Sequence, residues 1–190
     1  MLVNKPLLLL VGPSGCGKTT VANYLETNNG YSSVQSYTTR PKRYDNEVGH
    51  IFISNEELSE LQHIVAYTEY NKYRYCATEE QIDAADIYIV DVSGVKTLLK
   101  KYHNQSRTIF IFYLKSTVKT RIDRMLDRGD HDSQILSRLY VDEEYDWLEK
   151  LSEIANSYQF INAKRDIRLH VIDANEKLPD VVEQIMWYVK

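Results

Sequence analysis

Short, largely apolar runs alternate along this chain with longer stretches in which apolar residues recur every three to four positions. The short runs lie at 7–11, 87–91, 108–114 and 169–172. Leu7-Leu8-Leu9-Leu10-Val11 is apolar at successive positions, which is what a parallel strand covered on both faces requires. The longer stretches predict helices over 18–28, 93–101, 118–128, 134–155 and 180–189, with Gly30 stopping the first. Strand and helix in alternation predict an α/β fold with a parallel sheet core flanked by helices.

Residues 34–77 follow another rhythm. Ile64-Val65-Ala66-Tyr67-Thr68-Glu69-Tyr70 is aromatic and partly alternating, and Ser54-Asn55-Glu56-Glu57 has the spacing of a capping box. Thr78-Glu79-Glu80-Gln81 is a second capping box and returns the chain to the core. The segment reads as a small, partly antiparallel subdomain inserted between the first two core strands. With 190 residues and no repeat or linker, the chain is read as a single domain. Its core would comprise 1–33, 78–120 and 140–190, with an inserted subdomain at about 34–77.

Between the first strand and the first helix stands Gly12-Pro13-Ser14-Gly15-Cys16-Gly17-Lys18-Thr19, which fits G-x-x-x-x-G-K-[ST] in the setting that the phosphate-binding loop needs. Glycines let backbone N–H groups curl around a phosphate, and the following helix presents free N–H groups and a positive dipole end. Gly12, Ser14, Gly15, Cys16, Gly17, Lys18, Thr19 and Thr20 are therefore the expected contacts to the phosphates of a nucleoside triphosphate. Lys18 would reach the β- and γ-phosphates, and the Thr19 hydroxyl would ligate Mg²⁺. Cys16 reads as a small filler of the loop rather than a nucleophile. The guanine-reading N-K-x-D of GTPases is absent, since Asn71-Lys72-Tyr73-Arg74 lacks the aspartate.

Composition narrows the partners. A formal net charge of -4 does not suit a nucleic-acid or anionic-lipid sheath, so any anion site must be a local pocket and the partner a small molecule. Two cysteines make no disulfide scaffold, and the apolar run before Gly12 is too short for a leader, so a cytoplasmic protein is expected. No stretch approaches transmembrane length. The 15 tyrosines suit half-buried strand and pocket positions.

Two basic clusters follow the loop. Ser36-Tyr37-Thr38-Thr39-Arg40-Pro41-Lys42-Arg43 carries two arginines around a proline, which suits bidentate binding of a dianionic phosphate or, equally, a solvated basic turn. Arg121, Arg124 and Arg128 fall on one helix face ahead of Gly129-Asp130-His131-Asp132-Ser133, with Arg138 beyond. A helix–loop–helix at about 121–139 could close over a transferring phosphoryl group as a lid, or expose a face balanced by Asp123 and Asp127.

Taken in order, GPSGCGKTT, S-x-T-T-R-x-x-R, Y-x-x-x-x-Y-C-A-T, IVDVSG and RMLDRGD followed by Arg138 resemble the guanylate kinase family over nearly the whole chain. The resemblance implies a P-loop NTPase fold with an inserted acceptor-binding subdomain and a helical lid, using ATP and Mg²⁺. It implies that Ser36, Arg40, Arg43 and Tyr75 hold the phosphate of an acceptor, and that Lys18, Arg124, Arg128 and Arg138 are catalytic. Asp91, with Thr19, would lie near the metal, although an aspartate there is also an ordinary helix cap.

The family's base-reading positions fall on Ala66, Ala77 and Ile89, and a phosphate-gripping tyrosine falls near His50. Losing a hydrogen-bond partner to a polar substrate edge costs about 1–3 kcal/mol. The expectation is a nucleoside monophosphate kinase, monomer or homodimer, without strong GMP or dGMP selectivity. A kinase of a phosphorylated sugar, such as a ribose bisphosphate, and a non-catalytic binding module are the alternatives. The retained Lys18, Thr19 and lid arginines argue against the last.

Overall fold

The computed structural model describes residues 5–42, 45–70, 72–143, 146–161 and 165–189. In chain order the first elements are β1 (Leu7–Val11), α1 (Lys18–Asn29), β2 (Ser36–Thr38), β3 (His50–Phe52) and α2 (Asn55–Glu60). Then come β4 (Ile64–Tyr70), β5 (Tyr73–Thr78), α3 (Glu79–Asp83), β6 (Ile87–Ile89), α4 (Val92–Lys101) and β7 (Ile109–Lys115). The chain continues through α5 (Val118–Asp127), α6 (Asp132–Glu143), α7 (Trp147–Ile161), β8 (Ile167–Asp173) and α8 (Leu178–Val189).

The first strand lies inside a four-stranded parallel sheet of order β6-β1-β7-β8. Leu8 pairs with Ile87 of β6 and with Phe110 of β7. Its uniform apolarity has a direct cause. Leu7, Leu9 and Val11 enter one core with Val95 and Leu98 of α4 and Leu151 of α7. Leu8 and Leu10 enter another with Val21 and Leu25 of α1 and Ile185 of α8. All five strand residues are fully buried, and each such side chain contributes about 1.5–3 kcal/mol. The α/β architecture with a helix-flanked parallel sheet is the one the pattern predicts.

A second sheet, of order β3-β2-β5-β4, is mixed: β2 and β3 run parallel, while β5 is antiparallel to both β2 and β4. Helix α4 packs on β4, and Val65, Ala66 and Ala77 join the core that α4 helps to fill. Both capping boxes form, with Ser54 and Thr78 each exchanging bonds with the residue three positions on. Gly30 closes α1 at φ 66°, its N–H bonded to the Leu25 carbonyl.

Two boundaries differ from the pattern. The helix expected over 134–155 is two helices. Asp146 accepts the Glu149 N–H at 3.1 Å and starts a new helix, while Trp147 Nε1 donates to the Asp142 carbonyl at 3.3 Å. A capping carboxylate and a returned indole here outweigh a periodicity that runs through without a break. The strand expected over 87–91 ends at Ile89, because Asp91 caps α4 instead.

Arg107 staples the end of the sheet. Its guanidinium is buried and donates to the carbonyls of Lys5 at 2.9 Å, Ile82 at 2.7 Å and Ala85 at 2.5 Å. Among the described residues no helix is long and apolar enough to cross a membrane.

Candidate active site

The chain turns sharply between β1 and α1. Gly15 has φ 79°, and a Cβ there would stand 2.7 Å from the Arg121 carbonyl oxygen and 3.1 Å from its Cα. Only glycine lets the loop lie this close to α5. Gly17, at the N-cap of α1, brings no side chain to the N–H groups of the first turn, which also holds no acidic residue. By contrast α2, α3, α4 and α5 are capped by Ser54, Thr78, Asp91 and Thr117, each accepting a backbone N–H. The start of α1 thus keeps its donors and its dipole for an anion.

Lys18 folds back over the loop, with Nζ donating to Gly12 O at 2.6 Å and Pro13 O at 3.0 Å. Thr19 and Thr20 are exposed on the first turn. Cys16 is buried with Val21 and Leu25, a free thiol filling space as expected.

Ser14 is held from several directions. Its N–H donates to Asp142 Oδ2 at 2.9 Å, and its carbonyl accepts Arg121 Nε at 2.8 Å. Arg121 in turn donates through Nη2 to Asp142 Oδ2 at 2.5 Å. Tyr70 lines the same space, and burial raises the pKa of its phenol.

A cavity of about 620 Å³ is lined by the loop from Ser14 to Thr20 and by Arg124, Arg128 and Arg138. Arg124 Nη1 donates to Cys16 O at 3.2 Å. Arg128 bonds Asp130, and Arg138 Nε lies 3.9 Å from the same carboxylate. The single arginine face expected from the helical spacing is divided. Arg121 is buried and turned under the loop, whereas Arg124 and Arg128 reach the cavity. Asp123, expected to balance that face, bonds Lys119 at 2.6 Å.

A second cavity, of about 380 Å³, opens between the parallel sheet and the mixed one. Ser36, His50, Thr68, Tyr75, Asp91 and Trp147 line it, together with Ser14 and Lys18 of the loop. Ser36 Oγ and His50 Nδ1 are 2.9 Å apart, and the His50 ring meets that of Tyr75 edge-on at 5.7 Å.

Arg40 is absent from this lining. It lies in an adjoining cavity of about 280 Å³ with Tyr75 and Arg138, bonded to Glu47 at 2.8 and 3.1 Å. Burial works against its charge, but the bonded Glu47 carboxylate outweighs burial and raises its pKa. Its Nε is buried and has no hydrogen-bond partner among the described residues. Arg43, expected beside it, lies outside the described residues.

Asp91 uses both oxygens: Oδ1 accepts the Gly94 N–H at 2.7 Å and Oδ2 the Thr68 hydroxyl at 2.6 Å. Burial pushes its carboxyl above the ordinary value, against the pull of those bonds and of Lys18. Among the described residues no group of three or more His, Cys, Asp or Glu could hold a metal by itself. Ala66 and Ala77 pair across β4 and β5 and are fully buried, while Ile89 lines the second cavity.

Sequence reasoning missed Asp142, Trp147 and Tyr70. Asp142 stands one turn after Arg138, but nothing local pairs it with Arg121 or with Ser14, which is 128 positions away.

A glycine loop feeding an uncapped helix, on the central strands of a parallel sheet and shared by two cavities, defines a P-loop α/β protein. The chain belongs to the AAA domain family, whose model matches residues 8–148. It is similar to the guanylate kinase of Clostridium tetani, 26% identical over 188 residues that span 94% of this chain and 82% of that one. It is 29% identical over 180 residues to the guanylate kinase of Onion yellows phytoplasma, spanning 83% of this chain and 84% of that one. The guanylate kinase structure from Anaplasma phagocytophilum covers 97% of this chain and 84% of that chain at a TM-score of 0.55 and 16% identity. The last likeness concerns the fold alone. The resemblance to guanylate kinases read from the motifs is borne out.

Proposed function

We propose that this protein is an ATP-dependent phosphotransferase that moves the γ-phosphate of ATP to a nucleoside monophosphate. One observation carries the reading: the two larger cavities share Ser14 and Lys18, so a donor in one and an acceptor in the other meet over the phosphate loop. ATP would take the larger cavity, its phosphates on the uncapped start of α1. The acceptor would take the smaller one, with the mixed sheet as the acceptor-binding subdomain and α5–α6 as the lid.

The donor set fits the nucleotide. Among the described residues Lys18 Nζ bonds two carbonyl oxygens and a sulfur, and it can swing to the β- and γ-phosphates. Arg124, Arg128 and Arg138, from both sides of the lid, would neutralise charge developing on the transferring group. Mg²⁺ is ordinarily held by one or two side-chain oxygens together with the phosphates and water. The exposed Thr19 hydroxyl fits that role, with Asp91 nearby, and Mg²⁺ when bound would supply positive charge to the phosphates. Asp91 also acts as a helix cap.

Ser36, Tyr75 and His50 would grip the acceptor's phosphate. Arg40 would reach it from the adjoining cavity, where among the described residues its Nε has no partner and offers a donor, and the resemblance assigns Arg43 to the same phosphate. The buried Ala66 and Ala77 and the lining Ile89 leave no side-chain hydrogen bonds at the family's base-reading positions, so base choice is expected to be broad or altered.

A coupled ADP-release assay with Mg·ATP against nucleoside monophosphates, deoxynucleoside monophosphates and pentose phosphates tests this. Turnover with one or more monophosphates is expected. Turnover confined to pentose phosphates, or none despite bound ATP, would refute it. Turnover of GMP or dGMP alone would overturn the expected loss of guanine selectivity.

A further inference from the structure

Arg121 and Asp142 have no part in the roles proposed above, yet both are buried and both meet the phosphate loop. Their side chains are only 6% and 3% exposed. Burying two charges is costly, and an apolar pair of similar volume often folds as well or better. Stability alone therefore does not account for them.

Their placement does. Arg121 Nε holds the Ser14 carbonyl at 2.8 Å, and Asp142 Oδ2 holds the Ser14 N–H at 2.9 Å, so both backbone groups of one loop residue are taken. The 2.5 Å contact between Arg121 and Asp142 closes the triangle and joins α5 to α6. Arg121 stands one turn before Arg124 on α5, and Asp142 stands one turn after Arg138 on α6. The buried contact thus sets the two helices against each other, and against the loop, within a turn of each of these arginines.

We propose that Arg121 and Asp142 are a positioning pair that anchors the two peptide planes flanking Ser14 and sets Arg124 and Arg138 at the spacing phosphoryl transfer needs. This rests on the lid reading above. The pair itself touches no nucleotide. Each of the two peptide planes flanking Ser14 then has one anchor, Asp142 on its N–H side and Arg121 on its C=O side, so neither flips freely and the donors that follow keep their direction. Donors fixed beforehand stabilise a transition state without reorganising.

The test uses the full-length protein with the double substitution Arg121→Met and Asp142→Leu, which restores an apolar contact, beside the single substitution Asp142→Asn. Thermal unfolding reports the fold. Mg·ATP affinity is read by titration calorimetry. ADP release is measured with an equimolar mixture of AMP, GMP, CMP and UMP. The double variant should unfold no earlier than wild type and keep Mg·ATP affinity within about threefold, while kcat falls on the order of a hundredfold.

A kcat within about twofold of wild type in a double variant of restored stability would make the pair merely structural. Lost Mg·ATP affinity with kcat intact at saturation would assign it to binding instead. Should the wild type release no ADP with any monophosphate, the transfer reading fails, and amide exchange at Ser14 still judges the clamp. Slow exchange in wild type that becomes fast in the double variant supports it, and unchanged exchange overturns it.

Discussion

Replacing Gly15 with alanine adds one methyl group to the phosphate loop, and its cost follows from two structural features. The backbone there has φ 79°, and the left-handed region costs a residue with a Cβ about 1–2 kcal/mol. The new Cβ would also stand 2.7 Å from the Arg121 carbonyl oxygen and 3.1 Å from its Cα. Those atoms are helix backbone in α5, not the end of a flexible side chain, so loop and helix must part. Overpacking of that kind costs about 1–3 kcal/mol. The sum is about 2–5 kcal/mol, which lowers Tm by roughly 4–20 °C in a chain of this length. Gly30→Ala is the control, because it has φ 66° but nothing within 4 Å of its Cβ. It should show only the backbone cost of about 1–2 kcal/mol. Calorimetry and far-ultraviolet circular dichroism on both variants measure the difference. Equal losses in the two would mean that α5 is not wedged against the loop, and the argument from Arg121 would go with it.

Lys18→Met should leave Tm nearly unchanged, since among the described residues Nζ bonds loop carbonyls and the Cys16 sulfur. It should lower kcat by about 10²–10³, and turnover near wild type in steady-state assays would refute the assigned role. Asp91→Asn separates cap from metal site, because asparagine still caps α4. Burial holds the Asp91 carboxyl above its unfolded value, so the native state binds the proton more tightly. Stability is therefore lost as pH rises from the ordinary carboxylate value through the raised one, and the penalty is constant above it. At neutral pH the variant should be at least as stable as wild type, an advantage that vanishes in acid; urea titrations across pH check the slope. If Asp91 also holds water on Mg²⁺, its variant needs more Mg²⁺ for half-maximal rate, and an unchanged requirement leaves it a cap. Arg107→Ala strands the carbonyls of Lys5, Ile82 and Ala85 and should cost about 3 kcal/mol or more in urea unfolding. Mg·ATP affinity, read by calorimetry below the unfolding transition, should not change.

Much of this fold was legible without coordinates because its signals are local. Five successive apolar residues before a glycine loop demand a doubly covered strand, and both cores supply that cover. Ser54 and Thr78, each with a Glu or Gln three residues on, announce the helices that start at the next residue, and Gly30 stops one. The phosphate loop is the strongest of these signals, since its residue types and spacing serve one geometry.

The tertiary structure decided what depends on pairs far apart in the chain. Helical spacing put Arg121, Arg124 and Arg128 on one face, but it could not say that Arg121 turns inward to meet Asp142, 21 residues away. It placed Arg40 in a basic turn without revealing the Glu47 carboxylate that now holds it. Asp91 was readable both as a cap and as a metal neighbour, and only the contact with Thr68 revealed that its second oxygen is also taken. Periodicity and capping encode how one segment folds and which side it buries. Which buried charge meets which, and which cavity a side chain reaches, depends on how those segments pack.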